Sequence, residues 1–163
     1  MNFRLVQHFE SDAESVNRAY ADPDLYPTLV GLPKLGGIEV VGADGDPAHH
    51  LEVRFRFTGD LPSAVTAVVA PDRLTWVQES IHDHAARSAR FRLLPDHYPD
   101  RLRCRGNFQV DEVDGGSRRT ITGELQVRAP LVASRVEQAI VSGLEEYLMA
   151  EAPALDAWIR GPG

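Results

Sequence analysis

Six histidines, one cysteine and a few polar residues set among apolar ones are where this chain of 163 residues could do chemistry. His82 and His84 fall on one side of an extended segment with Asp83 between them, and His49 and His50 open another. In an antiparallel meander those two ends meet, so the four imidazoles could share a rim. A metal would need three or four such ligands and supporting partners. Without them the set reads as exposed turn residues, and no metal is expected. His97 stands a strand length away, about 26 Å. Gln78, Ser80 and His82 alternate onto the side of Trp76, and Gln7 sits among Phe3, Leu5 and Phe9. Such polar groups either satisfy one another or converge on a bound molecule. The opposite parity, with Thr75, Val77 and Ile81 inward, stays open because both faces are mixed. Cys104 points inward with Leu102 and Phe108 and has no evident base, so it reads as a small packing group. Among candidate general acids or bases, His82 and Tyr147 stand first.

The elements that must position these residues are legible from periodicity. Residues 2–9 alternate as a half-buried strand. Ser11 and Glu14 have capping-box spacing, which opens a helix to about Tyr20. Asp22-Pro23 opens a short second one. After the loop Gly31–Gly37, strands are expected at 38–42 and through Leu51, Val53, Phe55 and Phe57. Residues 63–70 read as a short helix between Pro62 and Pro71, with a strand as the alternative. Strands follow at 73–83, 86–94, 101–113 and 117–128. From Pro130, Val132, Val136, Ile140, Leu144 and Leu148 recur every four residues beside Tyr147, a long amphipathic helix that Pro153 kinks or ends. One sheet face is apolar, and this helix is the one element long enough to cover it.

Asp114-Gly115 is a two-residue hairpin signal of the primed type. That turn pairs Arg105 with Glu124, Asp111 with Arg118, Phe108 with Ile121 and Cys104 with Leu125. It also sets Gly106 beside Gly123 on the concave face. The pair, with Gly143 on the facing helix, reads either as close helix approach or as space for a ligand. On the outer face run Arg54, Arg56, Arg90, Arg92, Arg103 and Arg105 among Glu52, Glu79, Asp111 and Glu124. This is a solvated surface with cross-strand pairs, or else a partner face.

Composition narrows the classes. The length suits one domain, 1–163. A hydrophobic content of 43% is too high for disorder. No run approaches the roughly 20 apolar residues of a membrane span. The first residues lack an apolar signal core, so a cytoplasmic location is expected. A net charge of −7 argues against nucleic acid as the main partner.

The order of strand, two helices, six strands and one long helix resembles the helix-grip fold of the START and polyketide cyclase/dehydrase superfamily (SRPBCC), which includes birch-pollen-allergen-like proteins. The segment Gly123-Glu-Leu-Gln-Val-Arg-Ala-Pro130-Leu-Val-Ala-Ser-Arg-Val-Glu137 is similar to an uncharacterised actinobacterial branch. Lys34 is the single lysine among 17 basic residues, a usage that suits a GC-rich genome. The resemblance implies an α+β fold, a curved seven-stranded antiparallel sheet gripping the C-terminal helix over a cavity for a lipid-like, polyketide-like or other amphipathic molecule.

The expected cavity is about 300 Å³ or more. Its expected lining is Phe55, Phe57, Trp76, Gln78, His82, Phe91, Gly106, Phe108, Gly123, Ile140, Leu144 and Tyr147, with His97 and Tyr98 at its mouth. The leading expectation is a binding protein without catalytic residues or cofactor. The alternatives are a cyclase or dehydratase, and a structural module with a filled core.

Overall fold

The computed structural model describes residues 1–162. Strand β1 (Asn2–Phe9) leads into helix α1 (Ala13–Tyr20), and a 3-10 turn follows at Tyr26–Thr28. Strands β2 (Leu35–Gly45) and β3 (Ala48–Phe57) precede the short helix α2 (Ser63–Thr66). Then come β4 (Thr75–Asp83), β5 (Ser88–Pro95), β6 (Leu102–Val113) and β7 (Gly116–Val127), and helix α3 (Ala133–Arg160). The strands form one antiparallel sheet in the order β1-β7-β6-β5-β4-β3-β2. It is the curved sheet around a long helix that the resemblance implies, a helix-grip fold.

Alternation places the core between sheet and helix. Leu51, Val53, Phe55 and Phe57 of β3, Ile121 and Leu125 of β7, and Val136, Tyr147, Leu148 and Leu155 of α3 are all buried. A fully buried leucine such as Leu155 contributes about 1.5–3 kcal/mol. The far end of α3 is pinned to the start of α1: the Asp156 carboxylate accepts from Glu10 N (2.9 Å), Ser11 N (3.0 Å) and Ser11 Oγ (2.6 Å).

The hairpin register agrees with the sequence reading. Gly106 faces Gly123, Arg105 faces Glu124, Asp111 faces Arg118, and Val113 faces Gly116. The turn type does not: of its two central residues Gly115 alone takes positive φ, 82°, whereas a primed turn needs it at Asp114. The cap of α1 also moves by one residue. Asp12 accepts from Ser15 N at 2.8 Å, because Ser11 is engaged by Asp156. The expected second helix is only the 3-10 turn at 26–28, and β2 runs longer than 38–42. Pro153 lies inside α3 rather than ending it. The carbonyl it frees, on exposed Met149, can bond water.

Candidate functional site

Between α3 and the inner sheet face lies a cavity of about 90 Å³. Of the residues expected there, it is lined by Phe55, Phe57, Trp76, Gln78, Phe91, Ile140, Leu144 and Tyr147. The volume is roughly a third of that expected, because aromatic rings occupy the space the glycines leave. A Cβ on Gly123 would stand 2.6 Å from the Phe3 ring, and one on Gly106 2.8 Å from the Phe91 ring. On the helix, the Phe57 ring would lie 2.7 Å from a Cβ at Gly143. The three glycines therefore admit rings rather than a ligand. Hollows of about 570 to 640 Å³ occur on the outer face, but these are open grooves between charged side chains such as Arg90, Arg92, Arg105 and Glu124.

Four other expected residues lie away from the cavity. His82 faces inward but sits deeper along β4, against the Phe108 ring edge and stacked 5.8 Å from His84. Phe108 lies behind Arg119, whose guanidinium carbon is 4.1 Å from the ring centre. His97 and Tyr98 line a separate hollow of about 30 Å³ with Leu102 and Val136. There the Tyr98 hydroxyl accepts from Ala70 N at 3.3 Å and ties two loops together.

The histidines do not form one rim. His49 is exposed beside Asp44, and His50 turns to the outer face, where its Nε2 is 3.2 Å from Glu79. His50, Glu52 and Glu79 bring potential ligand atoms within 4.8 Å of one another. Arg92 holds the other oxygen of Glu79, Oε1, at 2.6 Å, so the carboxylate is already paired with a guanidinium. On the inner face His84 Nε2 lies 2.9 Å from the Ala48 carbonyl, which can only accept, and its Nδ1 faces Asn17 Nδ2 at 3.2 Å. His84 is thus held at both ring nitrogens and is structural.

The polar end of the cavity is built by residues the sequence reading passed over. Arg119, Glu151, Tyr20 and Tyr26 all line it. The Arg119 guanidinium carbon lies 3.8 Å from the Tyr20 ring centre and 4.1 Å from that of Phe108, a desolvated cation against two aromatic rings. Its Nη1 donates to Gln7 Oε1 at 2.9 Å. Gln7 Nε2 donates in turn to Glu151 Oε1 (3.2 Å) and to the Leu148 carbonyl (2.9 Å). The Tyr20 hydroxyl donates to Glu151 at 2.5 Å. One neutral amide thereby links a buried cation to a buried carboxylate. One donor remains over: Arg119 Nε is buried without a partner, whereas the Tyr147 hydroxyl turns towards the Glu151 carboxylate. Such an unpaired group costs about 1–3 kcal/mol.

Burial, and then the Glu151 charge, push the Tyr147 and Tyr20 hydroxyls far above the usual phenol range. Both are donors, not bases, at neutral pH. Burial also holds the Cys104 thiol up at about 12, so it is no nucleophile. His82 is pushed down to about 4 by burial first, then by His84 and Arg119.

That shift has a measurable consequence. Between pH 6.5 and 4 the unfolded chain takes up a proton that folded His82 refuses. Stability is therefore full above about 6.5 and is lost as pH falls towards 4, by about 3 kcal/mol at most. Urea midpoints from pH 7 to 4.5 should show a slope that His82→Gln flattens. Equal slopes in both proteins would mean that His82 is protonated in the folded state.

The comparisons with known proteins bear on fold. A family model described as "Protein of unknown function (DUF2505)" matches residues 4–159. No curated protein sequence matches the chain. Among solved structures, the Thermus thermophilus protein TTHA0849 superposes with a TM-score of 0.68 at 17% identity, covering 98% of this chain and 97% of that one. The Zhui aromatase/cyclase from a Streptomyces species gives 0.66 at 14% identity, covering 98% and 93%. Norcoclaurine synthase from Thalictrum flavum gives 0.66 at 18% identity, covering 99% and 87%. At such identities the likeness is one of fold.

Proposed function

The chain belongs to the family of proteins of unknown function DUF2505, and from that premise and its cavity we propose that it binds a compact apolar or amphipathic small molecule between α3 and the sheet. The observation that carries this reading is the cavity itself, walled by Phe55, Phe57, Trp76, Ile140 and Leu144 and closed at one end by donors. Its size sets the scale: an apolar cavity of about 150 Å³ takes benzene. A space of about 90 Å³ is smaller, so even a single ring would need some widening on the α3 side. A long acyl chain or a multi-ring polyketide would need Ile140, Val141 and Leu144, all only partly buried, to move aside. No helix among the described residues is long and apolar enough to cross a membrane.

A second reading, chemistry of the cyclase or dehydratase type, has one observation in its favour: Glu151 and Tyr147 line the cavity together. It no longer includes His82, which lies elsewhere. Binding needs neither group to move a proton, so it is the simpler function.

Ligand-observed NMR with toluene tests the proposal. Toluene should bind saturably to the native protein. Leu144→Trp, which fills the cavity from α3, should weaken binding at least about tenfold, the loss of one ring's contacts. No saturable binding to the native protein would leave a structural module with a filled core.

A further inference from the structure

The loops at one end of the sheet carry a surface that the cavity does not explain. From Leu61 to Pro71 the chain has no charged residue, and Pro62, Ala64, Ala67, Val68 and Pro71 of that run are exposed. Val69, from the same run, lines the hollow of about 30 Å³ together with Tyr98, Ala129 and Val136. The run is thereby docked against the start of α3, where Leu131 is 104% exposed. Leu131 also holds a φ of 67°, in the left-handed region that leucine rarely adopts. The chain is turned so that an apolar side chain projects into solvent, while Val132 and Val136 behind it are buried.

Charge is arranged around this apolar tip. Arg73, Arg101 and Arg128 line the hollow, and Arg135 lies in the first turn of α3 beside Val136. All four are exposed, and none is ion-paired among the described residues. The Arg128 amide donates to the Arg101 carbonyl at 2.7 Å, which fixes two of them side by side. Of the carboxylates adjoining the hollow, Asp96 is held by Arg54 at 3.0 Å and Glu137 by the Met1 amine at 3.3 Å. Asp72 and Asp100 are left against four guanidiniums, in a chain whose net charge is −7. The N-terminus of α3 adds potential of the same sign, since its first turn holds no acidic residue and no side chain caps it.

An apolar tip inside a cationic rim suits one surface best. A folded protein partner would need a broad shaped patch, about 800 Å² on each side, whereas the apolar groups here are small residues on two loops around one leucine and one valine. A nucleic acid would use the guanidiniums and leave Leu131 in water. At an anionic bilayer the leucine and valine enter the headgroup region, and the guanidiniums stay at the level of the phosphates. We propose that this end of the protein docks reversibly on an anionic membrane surface, with Leu131 and Val68 as apolar anchors and Arg73, Arg101, Arg128 and Arg135 on the lipid phosphates. The docking does not depend on what fills the cavity.

Flotation with vesicles of phosphatidylcholine, with and without phosphatidylglycerol, tests this. The native protein should partition at least about tenfold more strongly onto the anionic vesicles, against its own net charge, and should lose that advantage in about 0.5 M salt. Leu131→Asn keeps a residue that tolerates positive φ, so it should melt with the native protein. It should bind anionic vesicles at least about fivefold more weakly, the loss of one partly inserted leucine. Arg101→Gln combined with Arg128→Gln should cut the preference for anionic vesicles by about tenfold. Arg103→Gln with Arg105→Gln, on the outer face, should change it by less than about twofold. No partition onto either vesicle, a preference that survives in the Arg101 and Arg128 variant, or binding that Leu131→Asn leaves unchanged would overturn the proposal. So would a dimer in sedimentation velocity that Leu131→Asn disperses, which would assign the tip to a second copy, or tighter binding to single-stranded DNA than to anionic vesicles.

Discussion

Gly106→Ala is expected to lower the thermal midpoint by about 6–12 °C, a loss of about 3 kcal/mol in a domain of this size. The added Cβ would stand 2.1 Å from the Thr122 carbonyl oxygen, 2.8 Å from Gly123 Cα and 2.8 Å from the Phe91 ring. Two of these three contacts are backbone of the neighbouring strand, so no rotamer change relieves them. Gly115→Ala is the control. It has open space, and its cost is the strain of a φ of 82°, about 1 kcal/mol. Thermal melts of the two variants check the difference. A midpoint within about 3 °C of the native value for Gly106→Ala would mean that β6 and β7 separate at little cost, and the close packing of rings on glycine would then not be what limits the cavity.

The same pair of glycines shows where sequence reasoning stops. Their register was readable, because Asp114-Gly115 fixes the turn and each slip of one residue would turn Phe108 and Ile121 outward. What fills the dent was not readable. Phe3 comes from the first strand and Phe91 from the fifth, and no local pattern says that their rings lie over Gly123 and Gly106. Cavity volume is a difference between large packed volumes, so rings of this size decide it. His82 failed in a related way. Parity put it on the inner face, but its depth along β4, beyond Gln78 and Ser80, places it beside Phe108 and outside the cavity lining.

Arg119 and Glu151 are a different kind of miss, because the signal was present. Arg119 stands two residues before Ile121 on a strand whose odd positions face in, and Glu151 follows Tyr147 by four on the helix face that carries Leu144 and Leu148. Charge argues for the surface unless a partner is known. The shared partner is Gln7 on β1, and the three assemble only when β1 pairs with β7 beneath α3. Ser11 lost its expected capping role by the same logic, since Asp156 competes for it from the other end of the chain.

Gln7→Leu is expected to cost about 3–5 kcal/mol, seen as a urea midpoint lower by about 2 M. Gln7 accepts from Arg119 (2.9 Å) and donates to Leu148 O (2.9 Å) and Glu151 (3.2 Å). A leucine of similar size fills the volume but strands a guanidinium and strips a donor from a carboxylate, both buried. Size alone would predict little change, so the magnitude separates a charge relay from simple packing. The relay also makes a sharper claim. Gln7→Glu brings a second carboxylate against Glu151, and Glu151→Gln leaves Arg119 without its balancing charge, so each alone should destabilise. Together they restore the charge count: the new carboxylate at position 7 meets Arg119 directly, and the new amide at position 151 can donate to it. The double variant should recover at least about 2 kcal/mol relative to the sum of the single losses, well beyond the few tenths that separate independent sites. Additive losses would show that Gln7 fills space and that Arg119 finds its balance elsewhere.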